Sequence, residues 1–199
     1  AGHQIDAGAV KDTPAGAMVL KFVLGSGYFC IHPSFNGAAL LPHLSGLFGS
    51  LPAAVEPTYS SVIVHPFFEP GGERAPYTTP HACGALLGIT AQTSVAEIAW
   101  AAREALTFVA RMSHDMMDVS TGPIALGGGL AGDRHFSGWF ATVMQAPVVR
   151  STSGHASLRG LAAIGARFLY DASDHELSEC WIGAPDETLA PQEAAIASY

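Results

Sequence analysis

A long stretch of helical periodicity in the middle of the chain constrains the fold more than any other feature. Ser94 followed three residues later by Glu97 makes a capping-box pattern, and apolar residues recur from there at helical spacing to about Met117. Two further helices are predicted over residues 136–144 and 156–170. Short runs rich in β-forming residues, which predict strands, cover residues 17–23, 28–32, 61–65, 123–126 and 147–149. A strand pair followed by strand and helix alternation predicts a mixed α/β domain.

Composition limits the class of partner. The chain has 199 residues, 49% of them hydrophobic and 13% charged, which suffices for one domain with a sizeable core. Seventeen acidic side chains against nine basic ones give a net charge of −8, so we expect no nucleic-acid partner. The lysines are only Lys11 and Lys21, and any bound phosphate is therefore expected to be held mainly by backbone groups.

The cysteines and the apolar runs bear on localisation. Three cysteines without CxxC spacing favour free thiols in a reducing compartment, and we therefore expect a cytoplasmic protein. Each apolar run is interrupted before it reaches the length of a membrane span, so no membrane partner is expected. The first residue is Ala1 rather than Met, which suggests part of a longer polypeptide.

Two glycine-rich turns are candidate ligand sites. Gly25, Ser26 and Gly27 link two predicted strands, where glycine allows positive φ and frees backbone N–H groups to face a ligand. The run from Gly127 to Gly129 ends a predicted strand before a helix, where a nucleotide can approach the backbone closely. Each motif alone is also typical of a tight turn without a ligand, and the GxGxxG dinucleotide pattern is not met. Together they favour a nucleotide bound by its terminal phosphates at one turn and its nucleoside at the other.

Carboxylates near these turns are candidate catalytic groups. Phosphoryl transfer uses a carboxylate to accept the proton of the attacking hydroxyl and Mg²⁺ to offset phosphate charge. Asp6, Asp12 and Asp133 lie nearest the glycine motifs in sequence, and spacing alone does not choose among them. Glu73 and Arg74 share a proline-bounded loop, which favours an ion pair that braces the loop. The nine histidines have no metal-ligand spacing, so we expect no histidine metal site.

Several segments resemble the FGGY carbohydrate kinases. Residues 84–104 are similar to the second signature of that family, with Arg103 at a position where the family has an apolar residue. Residues 72–84 resemble its GER-x-P loop and D-x-x-A-R-G segment, from which Thr79 and Cys83 depart. The segments that resemble the adenosine-binding run and the following helix are residues 125–139, 146–149 and 157–163.

The resemblance implies a fold, a cofactor and site residues. It implies a ribonuclease H-like (actin-like ATPase) domain with a mixed sheet and flanking helices, formed by residues 1–171 and followed by a C-terminal tail, 172–199. The family places ATP and a sugar or polyol between two domains, so the expected partner is an N-terminal sugar-binding domain outside this chain. Mg²⁺ is expected to accompany ATP. A homodimer is a further possible assembly. The residues implied to face the β- and γ-phosphates are Gly25, Ser26 and Gly27, and those implied to flank the adenosine are Gly127, Gly128 and Gly129.

The resemblance leaves the catalytic base and the substrate open. Family members often carry the catalytic aspartate in a G-H-D-Q or G-D-Q context, whereas this chain reads Gly2-His3-Gln4 and has Asp6 two residues further on. Either Asp6 substitutes through a shifted register, or the chain is a catalytically inactive nucleotide-binding or regulatory remnant. The loop at residues 66–73 is two residues longer than the P-Y-L-S-G-E-R form of this loop in the family. In this length it resembles the branch that includes erythritol kinases and xylulokinase-like members.

Overall fold

The structure is a computed structural model that describes residues 2–5, 13–117, 122–150, 156–177 and 187–192. The chain divides into two compact units. Unit 1 comprises Ala1–Lys21 and Gly27–Ser120, and unit 2 comprises Phe22–Ser26 and Thr121–Tyr199. Within the described ranges, no helix combines the length and apolar character that crossing a bilayer requires.

Unit 1 begins with an antiparallel sheet of three short strands. These are β1 (Gly2–Ile5), β2 (Met18–Lys21) and β3 (Tyr28–Ile31), in the order β1-β3-β2. Side chains alternate across the sheet, so that Cys30 is buried on one face whereas Leu20 and Phe29 are exposed on the other. The two strands predicted over 17–23 and 28–32 are confirmed in shorter form, and β1 is an addition to the prediction.

The remainder of unit 1 packs around the long helix. Its described elements are α1 (Leu40–Phe48), β4 (Ile63–His65), β5 (Ala85–Leu87) and α2 (Val95–Met116), with β4 and β5 antiparallel. The predicted capping box is confirmed, because Ser94 Oγ accepts a hydrogen bond from the Glu97 amide at 3.2 Å and the Glu97 carboxylate accepts one from the Ser94 amide at 2.7 Å. The apolar face of α2 joins a buried cluster formed by Leu40, Leu44, Val62, Val64, Ile98, Ala101, Ala102 and Ala105.

Unit 2 contains a parallel strand pair joined through a helix. Its described elements are β6 (Ile124–Leu126), a 3₁₀ turn (Gly129–Gly132), α3 (Arg134–Met144), β7 (Val148–Arg150), α4 (Ala156–Tyr170), the single-turn helix α5 (Asp174–Glu176) and β8 (Glu187–Leu189). Strand β7 pairs in parallel with β6 and antiparallel with β8. A parallel pair needs a crossover connection, which α3 provides here. The mixed α/β prediction is confirmed, and β8 adds a strand that the sequence pattern did not indicate.

Candidate nucleotide site

The glycine turn, residues 127–132, begins where β6 ends at Leu126. Gly128 has φ +95° and ψ −176°, a conformation that essentially only glycine adopts. A Cβ atom placed on Gly128 or on Gly129 would meet no other atom within 4 Å, so the backbone here faces open space. A planar ligand can therefore approach the main chain at this turn more closely than it could past any side chain.

Hydrogen bonds within the turn position the start of α3. The Ala131 amide donates to the Gly128 carbonyl at 3.1 Å, and Asp133 then caps the helix. Asp133 Oδ1 accepts hydrogen bonds from the backbone amides of His135 at 3.0 Å and Phe136 at 3.3 Å. Of the three candidate carboxylates, buried Asp133 is therefore engaged in capping. Asp6 and Asp12 lie outside the described residues.

A charged cluster supports the glycine turn from the adjacent strands. The Arg150 guanidinium donates from Nη1 to the carbonyl oxygens of Ala131 at 2.8 Å and Gly132 at 3.3 Å. Its Nε donates to the carboxylate of Glu187 on β8 at 2.8 Å. Glu187 also accepts a hydrogen bond from Arg134 at 2.9 Å, and the Arg134 and Arg150 hydrogen bonds lower the pKa of its carboxyl group. Sequence reasoning missed this cluster, because its members become neighbours only through the β7–β8 pairing.

The link that contains the other glycine motif is longer than the three residues predicted, since β2 ends at Lys21 and β3 begins at Tyr28. Gly27 has φ +95°, whereas Gly25 does not adopt a positive φ, so the expectation of a left-handed conformation holds for only one of the two glycines. Gly25 and Ser26 are exposed.

The same link contributes to the core of unit 2. Leu24 packs against a buried cluster formed by Ala163, Ala166 and Leu177. Phe22 covers Gly25, where a Cβ atom would lie 3.2 Å from its ring. Gly25 and Ser26 therefore belong to the same compact unit as the glycine turn, whereas Gly27 begins the second segment of unit 1.

The proline-bounded loop of unit 1 is organised by a buried carboxylate. Glu73 is 2% exposed and accepts hydrogen bonds from Ser34 Oγ at 2.7 Å, the Phe35 amide at 2.9 Å and the Arg74 amide at 2.7 Å. Burial alone would raise the pKa of Glu73, but these hydrogen bonds and one from Asn36 outweigh it and lower the pKa. The predicted ion pair is wrong: the Arg74 guanidinium lies 4.3 Å from the centre of the Phe35 ring, and Glu73 is held by uncharged donors instead.

Two further features of unit 1 involve titratable groups on or near α2. Arg103, which departs from the family pattern, is fully buried and donates to the carbonyl oxygens of Ala99, Pro52 and Ala53, so that it fastens an irregular segment to α2.

Burial raises the pKa of Glu104 to about 7, although a hydrogen bond from Trp100 opposes the shift. In the part of the chain that the structure describes, no group of three or more His, Cys, Asp or Glu side chains could hold a metal ion.

The fold resembles several solved kinases. Xylulose kinase from Lactobacillus acidophilus superposes with a TM-score of 0.71 at 20% identity, over 99% of this chain and 41% of that one. Gluconate kinase from the same organism gives 0.71 at 18% identity, over 100% and 42% of the two chains. Plasmodium falciparum glycerol kinase, solved with ADP, gives 0.52 at 17% identity, over 66% and 26%. This chain thus spans about two fifths of the length of the first two structures and has their actin-like ATPase fold.

Comparison of the sequence gives the family itself. Among curated proteins, none matches the chain. The sequence model described as the FGGY family of carbohydrate kinases, C-terminal domain, matches residues 35–169, well over half of the chain. That range contains α1, α2, α3 and all but the last residue of α4, together with the loop of Glu73 and the glycine turn. The chain belongs to the FGGY family of carbohydrate kinases and contains its C-terminal domain.

Proposed function

We propose that this chain is the nucleotide-binding half of an ATP-dependent kinase that phosphorylates a hydroxyl group of a sugar or polyol. The observation that carries the proposal is the open backbone at Gly128 and Gly129, at the end of a strand and before a helix, in a chain of a carbohydrate kinase family. The similar structures are a xylulose kinase, a gluconate kinase and a glycerol kinase, the last of them solved with ADP.

In this proposal the two glycine motifs bind opposite ends of ATP. Gly127, Gly128 and Gly129 flank the adenosine, because their exposed backbone leaves room for a planar base. Gly25, Ser26 and Gly27 face the β- and γ-phosphates through backbone N–H groups, a role that suits a chain with net charge −8 and few basic side chains. Mg²⁺ would enter with ATP and offset the charge on its phosphates.

The chemistry that we propose is transfer of the γ-phosphoryl group to a substrate oxygen. The hydroxyl oxygen forms a bond to the γ-phosphorus, the bond from that phosphorus to the β–γ bridging oxygen breaks, and ADP leaves. A carboxylate accepts the hydroxyl proton, and Asp6 is our candidate for this base. The alternative function is a nucleotide-binding or regulatory module without catalysis, favoured by Gln4 where the family pattern has aspartate.

The length of the relatives supports a proposal about the partner, and the loop at residues 66–73 supports one about the substrate. Because the chain spans only 41–42% of the xylulose and gluconate kinases, we propose that an N-terminal sugar-binding domain completes the cleft. Among substrates we favour ketoses and polyols. The longer loop at residues 66–73 keeps erythritol among the candidates.

A turnover assay tests the proposal. The chain is joined to an N-terminal FGGY domain, and ADP release is followed with a panel of ketoses and polyols. We expect one substrate class to stimulate ADP release, and Asp6→Asn to abolish it while the matched control Asp12→Asn retains it. ATP binding without turnover on any substrate supports the non-catalytic alternative. Unchanged turnover in Asp6→Asn removes Asp6 as the base.

A further inference from the structure

The tail strand β8 is joined to the glycine turn through one buried side chain. In the β6-β7-β8 sheet, Arg150 lies opposite Leu126 of β6 on one side and opposite Glu187 of β8 on the other. Leu126 is the last residue before Gly127. Arg150 on β7 therefore lies beside the point at which β6 ends and the glycine turn begins.

The guanidinium of Arg150 divides its donors between Glu187 and the glycine turn. Nε and Nη2 contact the same oxygen of Glu187 at 2.8 and 2.7 Å, and Nη1 donates to the carbonyls of Ala131 and Gly132. The Arg150 side chain is only 8% exposed, so its hydrogen bond to the Ala131 carbonyl has little competition from water, whereas the Glu187 side chain is 28% exposed. The Ala131 amide in turn donates a hydrogen bond to the Gly128 carbonyl, so that a continuous series of contacts connects Glu187 with the open backbone.

Charge explains why Glu187 is needed for this arrangement. A buried guanidinium whose partners are carbonyl oxygens alone lacks a counter-charge, and Glu187 supplies it from β8. Without that carboxylate, the guanidinium gains by turning toward water, and the Ala131 and Gly132 carbonyls lose their donor.

We infer that Arg150, anchored by Glu187, is the positioning residue of the glycine turn, so that the C-terminal tail sets the affinity of this domain for the adenosine part of its nucleotide. This inference rests on the proposed function, because it needs a nucleotide at the turn. It assigns to the tail a role in ligand binding beyond that of a strand at the edge of a sheet.

Arg134 provides a matched control. It donates to Glu187 as Arg150 does, at 2.9 Å, but it is 71% exposed and contacts neither carbonyl of the turn. Loss of its charge leaves the Arg150 hydrogen bonds in place, so Arg134→Gln should keep the wild-type affinity.

The test measures dissociation constants of ADP and adenosine for the 199-residue chain, well below the melting temperature of each variant. Glu187→Gln and Arg150→Gln should weaken both ligands by a similar factor, about tenfold, which corresponds to about 1.4 kcal/mol. Glu187→Asp should recover part of that loss, because it restores the counter-charge. If Arg150→Gln does not fold, Glu187→Gln alone decides the matter.

The outcomes separate this inference from the proposed function. If the wild-type chain binds ADP and the folded Glu187→Gln variant binds ADP and adenosine as tightly, the inference is overturned and the proposed function stands. A loss confined to ADP, with adenosine unaffected, also overturns it, because the effect would then act on the phosphates. Absence of ADP binding by the wild-type chain overturns the proposed function, and the inference falls with it.

Discussion

Substitution of Gly128 and Gly129 separates the backbone conformation of the glycine turn from its use as a binding surface. At Gly128, φ is +95° and ψ is −176°, and a residue with a Cβ atom held there carries strain of about 1–3 kcal/mol. For a chain of this size each kcal/mol lowers the melting temperature by about 2–4 °C. We therefore expect Gly128→Ala to lower the melting temperature by about 2–12 °C.

Gly129→Ala tests the turn as a binding surface without changing its backbone conformation. Gly129 begins the 3₁₀ turn without a positive φ, and its added methyl group would meet no other atom within 4 Å. Alanine at such a position is tolerated or stabilises by about 0.4–1 kcal/mol through the unfolded state. The same methyl group projects into the space that we assign to adenosine. Gly129→Ala should therefore keep or slightly raise the melting temperature and lose affinity for ADP.

Scanning calorimetry and ADP titration measure the two effects. Gly122→Ala is the control for both, since Gly122 precedes β6, is exposed and has open space around it. It should lower neither quantity. An unchanged melting temperature in Gly128→Ala would refute the strain argument. Wild-type ADP affinity in Gly129→Ala would refute the placement of adenosine at the turn.

Three further predictions concern titratable groups of unit 1. The pKa of Glu104 is raised by burial to about 7, so the folded state keeps a proton that the unfolded state releases, and stability falls as pH rises from about 4.5 to 7. Glu104→Gln keeps an acceptor for Trp100 and should remove that fall, so that the variant is more stable than the wild type at pH 8 in urea unfolding. The pKa of Glu73 is lowered in the folded state, so its carboxylate stabilises the fold above about pH 4.5. Glu73→Gln should therefore lower the free energy of unfolding by about 1–3 kcal/mol in urea unfolding at pH 7. Burial lowers the pKa values of His3 and His32, so the melting temperature should fall as pH decreases below about 6.5, and this fall should be smaller in His32→Gln.

Elements set by local chemistry were predictable from the sequence. The capping box at Ser94, the periodicity of α2, and the helices α3 and α4 follow from neighbours within four residues along the chain. The glycine turn was located as a strand-to-helix junction for the same reason. The conformation of Gly128 and the open space around the turn could not be predicted from the sequence.

Elements set by distant pairing were not predictable. Strand β8 has three residues in an acidic tail without an alternating pattern, and it is stabilised by pairing with β7 and by the contact of Glu187 with Arg150. Strand β1 likewise depends on its partner β3. The partners of Glu73 were misjudged because adjacency in sequence suggested Arg74 as an ion-pair partner, whereas the fold brings Ser34 and Asn36 to the carboxylate.

Titration of the 199-residue chain with ATP and Mg²⁺ in a calorimeter tests most directly whether this domain binds a nucleotide through backbone glycines. We expect saturable binding of one ATP per chain, displaced by ADP and weakened by Gly129→Ala while Gly122→Ala binds as the wild type does. Heats equal to those of dilution, from a chain that melts cooperatively, would contradict it.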